Sequence, residues 1–181
     1  TLGNTVIPVP VGRTVGGTTT VNSGTCYRMP ERIYADWQTH HGLTEYTEAA
    51  LAPSYERVEA VHGVQPAASR LVGAAANAVG KACDELGYVH GPLRRNAPDC
   101  DGQGLCCFGC PTDAKRSTNV SYVPLALQAG AQLLTEAKAE HLLIENGRVV
   151  GVKVRPTTKT GTSQHSDDQA LLTIRAQAVV V

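Results

Sequence analysis

Two stretches of the chain concentrate residue types that bind or react. Residues 12–24 hold adjacent glycines, Gly16 and Gly17, followed by the hydroxyls of Thr18, Thr19 and Thr20 and the amide of Asn22. Adjacent glycines let a backbone come within hydrogen-bond distance of a large flat or phosphorylated ligand, and consecutive N–H groups beside Thr hydroxyls can hold phosphate oxygens. A plain surface turn between two strands accounts for the same residues, because Gly and Thr clusters are ordinary loop material. On the residues alone both readings stand.

The second stretch, residues 91–112, carries three prolines and four of the six cysteines, Cys100, Cys106, Cys107 and Cys110, spaced C-x5-C-C-x2-C. Four thiolates in one loop can hold zinc or an iron–sulfur cluster. Adjacent cysteines rarely ligate one zinc together and no matching histidine lies close by, so a cluster fits the spacing better than zinc. One disulfide is a further reading, and reduced, half-buried thiols packing a small-residue loop is the one preferred. Cys26 and Cys83 stand alone and are expected in the core. Lys115 and Arg116 beside Ser117 and Thr118 look like a phosphate cradle, but the P-loop spacing is missing and a solvated helix entry is expected. His40 and His41 precede Gly42, where cationic rings favour a helix C-terminus, so they are expected to cap and not to catalyse. His141 is expected to be a packed or edge histidine, and Asp167 and Asp168 to face solvent.

The elements that must position these residues follow from periodicity and punctuation. Residues 1–28, rich in Gly and Thr with Pro8 and Pro10, have no helical period and are expected to be extended chain and loop. Pro30 opens a helix that carries Ile33 and Trp37 and stops at Gly42. Residues 49–62 carry Leu51, Tyr55 and Val58 on one face before Gly63, and residues 69–86 carry Leu71, Val72, Ala75, Val79 and Leu86 before Gly87; both predict amphipathic helices. Residues 91–112 must be a loop held by something. A helix over 122–129 is followed by β-like runs at 132–135, 139–144 and 149–155, with Asn146-Gly147 a strong hairpin signal between the last two. An exposed loop at 157–169 precedes strands at 171–175 and 178–181. The predicted fold class is α/β in the mixed α+β sense, helices first and strands after.

Length and composition bound the rest. The chain has 181 residues, 42% hydrophobic and 18% charged, which describes one globular domain or two interlocked partial ones and not a disordered tail. Sixteen basic residues balance sixteen acidic ones, so the electrostatic footprint of a nucleic-acid partner is missing and none is expected. Eight aromatics in all leave a core of small side chains that permits close backbone approach. No apolar stretch approaches the ~18 to 20 residues of a bilayer span, and the opening residues lack a signal-peptide pattern. Met29 is the sole methionine, and the apolar run Ala178, Val179, Val180, Val181 has the pattern of a buried strand cut in mid-course, so an interior segment of a longer protein is expected.

Three ordered motifs resemble the glucose-methanol-choline oxidoreductases. Arg13, Gly16, Gly17 and Asn22 match the family's second flavin-contacting segment. Cys106, Cys107, Phe108, Gly109, Cys110 through Lys115, Ser117 and Thr118, followed by Tyr122 and by Gly130-Ala131, resemble the cysteine-rich segment of its long-chain (fatty) alcohol oxidase branch. Asn146, Gly147, Arg148 and Gly151 match the hairpin at the return to its flavin-binding domain. The resemblance covers nearly the whole chain. It implies part of a Rossmann-like FAD-binding domain with an inserted, mainly helical substrate segment: residues 1–29 as the flavin-contacting loop, 30–117 as helices and Cys-rich loop of the substrate or cap region, and 118–181 as the return to the FAD-binding domain.

By the same resemblance, Arg13, Gly16, Gly17, Thr18, Asn22, Ser23 and Thr25 are expected to line FAD, and Ala139 falls where the family often has a Val whose main chain pairs with adenine. Some members attach the flavin through a His just before the Asn; here Val21 stands there, so FAD is expected to be non-covalent at that position. An alcohol, long-chain or bulky and apolar, is the implied substrate, with oxygen or another electron acceptor and the remainder of the chain's own polypeptide as partners. The family's G-x-G-x-x-G turn and its carboxy-terminal His–His or His–Asn pair have no counterpart among these residues, so catalytic residues are expected outside this segment. The alternative is a non-catalytic module with a metal or cluster on Cys100, Cys106, Cys107 and Cys110.

Overall fold

The computed structural model describes residues 7–157 and 171–180. It is mixed α and β and divides into two compact units, Thr1–Ala131 and Gln132–Val181. The predicted loop at 157–169 and the two aspartates in it lie, Thr157 apart, outside the described residues.

In the first unit, helix α1 (Glu31–His41) starts after Pro30 and ends on Gly42 at φ 66, as its punctuation requires. Helix α2 (Glu48–His62) is capped by Thr47, whose hydroxyl accepts from the Ala50 N–H at 3.1 Å, and closes on Gly63 at φ 58. The predicted helix over 69–86 is broken: a single 3-10 turn, Ser69–Leu71, gives way to extended Val72 and Gly73, and helix α3 (Ala74–Leu86) begins only there. Gly73 carries the entropic penalty of glycine in a helix, so the run divides at its weakest residue. Two short strands, β1 (Gln65–Pro66) and β2 (Arg94–Arg95), pair antiparallel and tie the end of α2 to the loop that follows α3. Helix α4 (Tyr122–Gln128) ends the unit.

The second unit is an antiparallel sheet in the order β3 (Ala137–Glu145), β4 (Arg148–Pro156), β5 (Leu172–Arg175). Asn146 and Gly147 turn β3 into β4 at φ 51 and 75, the left-handed pair that a two-residue hairpin demands. Residues 132–135 and 178–180 form no strand, since neither finds a pairing partner among the described residues. Both sheets are antiparallel, so the parallel strands of a Rossmann-like domain are not among the described residues.

Few side chains are buried among the described residues, and polar groups are well represented among them. Among the described residues the buried hydrophobics are Tyr34, Ala114 and Val154, whereas Asn96, Lys115, Ser117 and Ser121 are buried polar groups. Cys26 and Cys83, expected in the core, are half-buried. A second polar knot joins the loop before α1 to α2 and β2: Glu59 takes paired hydrogen bonds from Arg28 (3.0 and 2.8 Å) and from Arg94 (3.1 Å each). Arg28 also lies over the Tyr55 ring at 5.6 Å. The hydrogen bonds from Arg28, and after them those from Arg94, outweigh the cost of burial and hold the Glu59 carboxyl down at about 2.

A carboxylate whose folded pKa lies below its unfolded value stabilises the fold fully above the unfolded value, and that stability is lost as pH falls through the folded one. Glu59→Gln is therefore expected to lower Tm most above about pH 4.5, where a free glutamate is ionised. The gap from the parent should close as pH falls toward 2; a gap independent of pH between 7 and 3 would contradict the ion-pair account.

Candidate functional site

The Gly-Thr stretch, expected to be extended chain and loop, contains a 3-10 turn, Gly17–Thr20, entered through Gly16 at φ 92 and Gly17 at φ 53. The turn sorts its hydroxyls. Thr19 and Thr20 are partly buried and back-bond to Gly16 O and Gly17 O, the latter at 2.8 Å. Thr118 receives the turn from the other side: its N–H donates to Thr19 Oγ1 at 3.1 Å, its hydroxyl donates to Gly16 O at 3.2 Å, and the two hydroxyl oxygens lie 3.0 Å apart. Arg13, Thr18, Asn22, Ser23 and Thr25 are exposed. The inward-facing hydroxyls thus build the loop, and the outward-facing polar groups are left to meet something else.

Lys115 holds this loop in place. It was expected to be a solvated residue and is 1% exposed. Asp113 at φ 55 turns the chain inward ahead of it, and three carbonyls replace water around the ammonium: Thr20 O at 2.9 Å, Asn22 O at 2.7 Å and Cys106 O at 2.7 Å. Three acceptors match the three donors of an ammonium, which is what allows the charge to be buried. Burial pushes the Lys115 ammonium below the ordinary lysine value, against the pull of the nearby Cys106, Cys110 and Cys107 thiols.

Around this pin the main chain is laced together. Thr25 forms a bridge with Arg95, Cys26 N–H donates to Arg94 O at 2.9 Å, and Asn96 N–H donates to Gly24 O at 3.1 Å. Arg116 N–H donates to Asn96 O at 2.7 Å, and Arg116 O accepts from Asn96 Nδ2 at 3.2 Å and from His62 Nδ1 at 2.6 Å. Arg95 spans both chemical stretches, its Nη2 donating to Ser23 O and to Cys106 Sγ. Asn22 folds its own side chain back to accept from the Gly24 N–H at 3.0 Å.

The cysteines take separate environments. All six are free thiols, Cys107 exposed and the other five half-buried. No three His, Cys, Asp or Glu side chains converge as metal ligands among the described residues. Burial pushes the Cys110 thiol up, but the Lys115 N–H at 3.4 Å and the Thr112 hydroxyl and nearby amides outweigh it and hold it below its ordinary value. His40 and His41 occupy the last turn of α1, His40 with Nδ1 2.9 Å from Asp36 Oδ1, and His141 is exposed on β3. Ala139 is exposed on β3, paired with Val154 beside a register irregularity.

The residues mark the loop but not its 3-10 turn or the anchors of that turn, Lys115, Thr118, Arg95 and Asn96. The usable signal is a lysine set among the small residues Cys110, Ala114 and Ser117.

Comparison with known proteins bears out the family resemblance. A family model described as GMC oxidoreductase matches residues 1–180, and the chain belongs to that family. An uncharacterized GMC-type oxidoreductase of Mycobacterium tuberculosis is 34% identical over 180 residues, which is 99% of this chain and 27% of that protein. A long-chain-alcohol oxidase of Arabidopsis thaliana is 31% identical over 133 residues, 74% of this chain and 17% of that protein. A GMC-type oxidoreductase of Sinorhizobium fredii is 27% identical over 91% of this chain and 32% of its own length. The chain thus spans about a quarter of the tuberculosis relative. No solved structure gives a significant match.

The glycines separate two duties. Gly24 sits at φ +71 with no room, since an added Cβ would lie 2.6 Å from Asn96 Oδ1 and 3.1 Å from Lys115 Cδ, whereas Gly17 at φ +53 faces open space. Gly17→Ala is expected to cost roughly 1 to 2 kcal/mol from left-handed backbone strain alone. Gly24→Ala should cost clearly more, because it also displaces the lysine pin; denaturant titration of both variants checks the order, and equal losses would contradict it.

Proposed function

We propose that the protein of which this chain forms part is an FAD-dependent alcohol oxidoreductase, and that this chain belongs to its FAD-binding domain and supplies the loop that lies against the cofactor. The observation that carries the reading is the family match over residues 1–180. When bound, FAD supplies the hydride acceptor for oxidation of a CH–OH carbon to a carbonyl, and oxygen or another acceptor then takes the electrons.

The loop fits such a group. At Gly17 the backbone faces open space where any larger residue would project a side chain, so a flat or phosphorylated ligand can approach the main chain there. Arg13, Thr18, Asn22, Ser23 and Thr25 offer exposed polar groups within the same stretch. Ala139 lies on β3, an edge strand of its sheet, so half of that strand's main-chain groups have no neighbour in the sheet and are suited to pairing with an adenine edge. Val21 has no group able to bond a flavin covalently, so no covalent link forms at that position. Proton removal from the substrate hydroxyl is assigned to residues outside this chain. The names of the Arabidopsis relatives support a long-chain or otherwise bulky apolar alcohol as substrate.

The full-length protein should purify with flavin absorbance, and the isolated 181 residues should bind FAD weakly and leave alcohols unreacted. A colourless full-length protein would sink the proposal, and activity confined to short polyols in a chain-length panel would remove its substrate class. Within the full-length protein, Gly17→Val should purify as folded apoprotein. Asn22→Ala should keep FAD with binding weaker by about 1 to 3 kcal/mol, the range for stranding a buried polar partner. Should Gly17→Val retain a full complement of FAD, the segment would be an ordinary turn.

A further inference from the structure

The pin on the cofactor loop does more than hold it closed. Lys115 donates to Thr20 O and Asn22 O from the inner side of the loop, and to Cys106 O from the Cys-rich loop. In a trans peptide the carbonyl and the following N–H point in opposite directions. With Asn22 O drawn toward the ammonium, the N–H of exposed Ser23 is turned away from it. The same residue is gripped at its other end, where Arg95 Nη2 donates to Ser23 O. An ammonium bonded to a carbonyl also polarises that peptide unit, which strengthens its N–H as a donor.

We propose that Lys115 is a positioning residue for the cofactor: from behind the loop it aims the Ser23 N–H outward as a preset donor for an electronegative edge of the bound dinucleotide. This rests on the FAD reading above and adds a residue that does not itself touch the ligand. Its bonds to the loop run entirely within the chain, so the ordering cost is met in folding and not in binding.

The test uses the full-length protein, with FAD affinity measured by flavin fluorescence and Tm measured with and without FAD. Lys115→Met, similar in length but without donors, is expected to weaken FAD binding at least tenfold and to lower the Tm of the FAD-bound form more than that of the apoprotein. A purely structural lysine would lower both melting temperatures together, so a change in affinity under threefold with equal Tm losses overturns the proposal. Should Lys115→Met not fold, Lys115→Gln, which keeps donors for part of the carbonyl set, is measured instead. It is expected to weaken binding by threefold or more, and parent-like affinity overturns the proposal. A parent protein with no FAD and no affinity for it would defeat the cofactor reading itself, and this proposal with it, before any variant is made.

Discussion

A buried ammonium must be solvated by something, and here three main-chain carbonyls from two segments far apart in sequence do it. Lys115 can be desolvated only if residues 20–22 and residue 106 arrive together in the right register. The constraint runs the other way as well: carbonyls of an irregular loop, unpaired by any sheet or helix, need a donor once they leave water. One side chain answers both requirements. Neither half is stable as placed without the other, which makes the loop and the cysteine-rich segment a single cooperative element.

The adjacent contacts extend that element without adding hydrophobic mass. Thr118 locks onto Gly16 and Thr19, Asn96 threads between Gly24 and Arg116, and Arg95 links Ser23 to the Cys106 thiol. Glycine is required where these approaches are closest: at Gly24 a side chain would enter the space of Asn96 and Lys115. At Gly17 the demand is different. Nothing in the described residues presses on it, and its left-handed φ is kept in front of open space. A left-handed glycine with nothing packed on it lets the chain turn there while leaving the main chain open on that side.

How much of this was legible in the sequence depended on the range of the interaction. Helix ends marked by Gly42, Gly63 and Gly87, and the Asn146-Gly147 hairpin, are local consequences of backbone sterics and were visible in the residues themselves. The Gly-Gly-Thr stretch announced a loop that a ligand can approach, though not its 3-10 turn, which is fixed by Thr118 nearly a hundred residues away. The split at Gly73 is not legible in the pattern, because apolar spacing continues across it while the helical backbone does not. The burial of Lys115 is hidden for a deeper reason: lysines ordinarily stay in water, and only tertiary structure gathers three carbonyls where water would have been.

The polar character of this interior also bears on how a site of this kind keeps its shape. Among the described residues three hydrophobic side chains are buried, while large apolar groups such as Val79, Leu86 and Phe108 are 63, 68 and 85% exposed. Apolar packing is non-directional and tolerates small shifts, so by itself it would leave a glycine-rich loop free to sample neighbouring conformations. Hydrogen bonds from a charged donor are directional and short, and shielded from water they are costly to break. A loop that must present main-chain groups at fixed positions is therefore better defined by a lysine and its carbonyls than by a larger core. The chain's share of its relatives, about a quarter of the tuberculosis protein, leaves ample polypeptide in such proteins to cover apolar faces of this kind, while the geometry of the loop is already set within these residues.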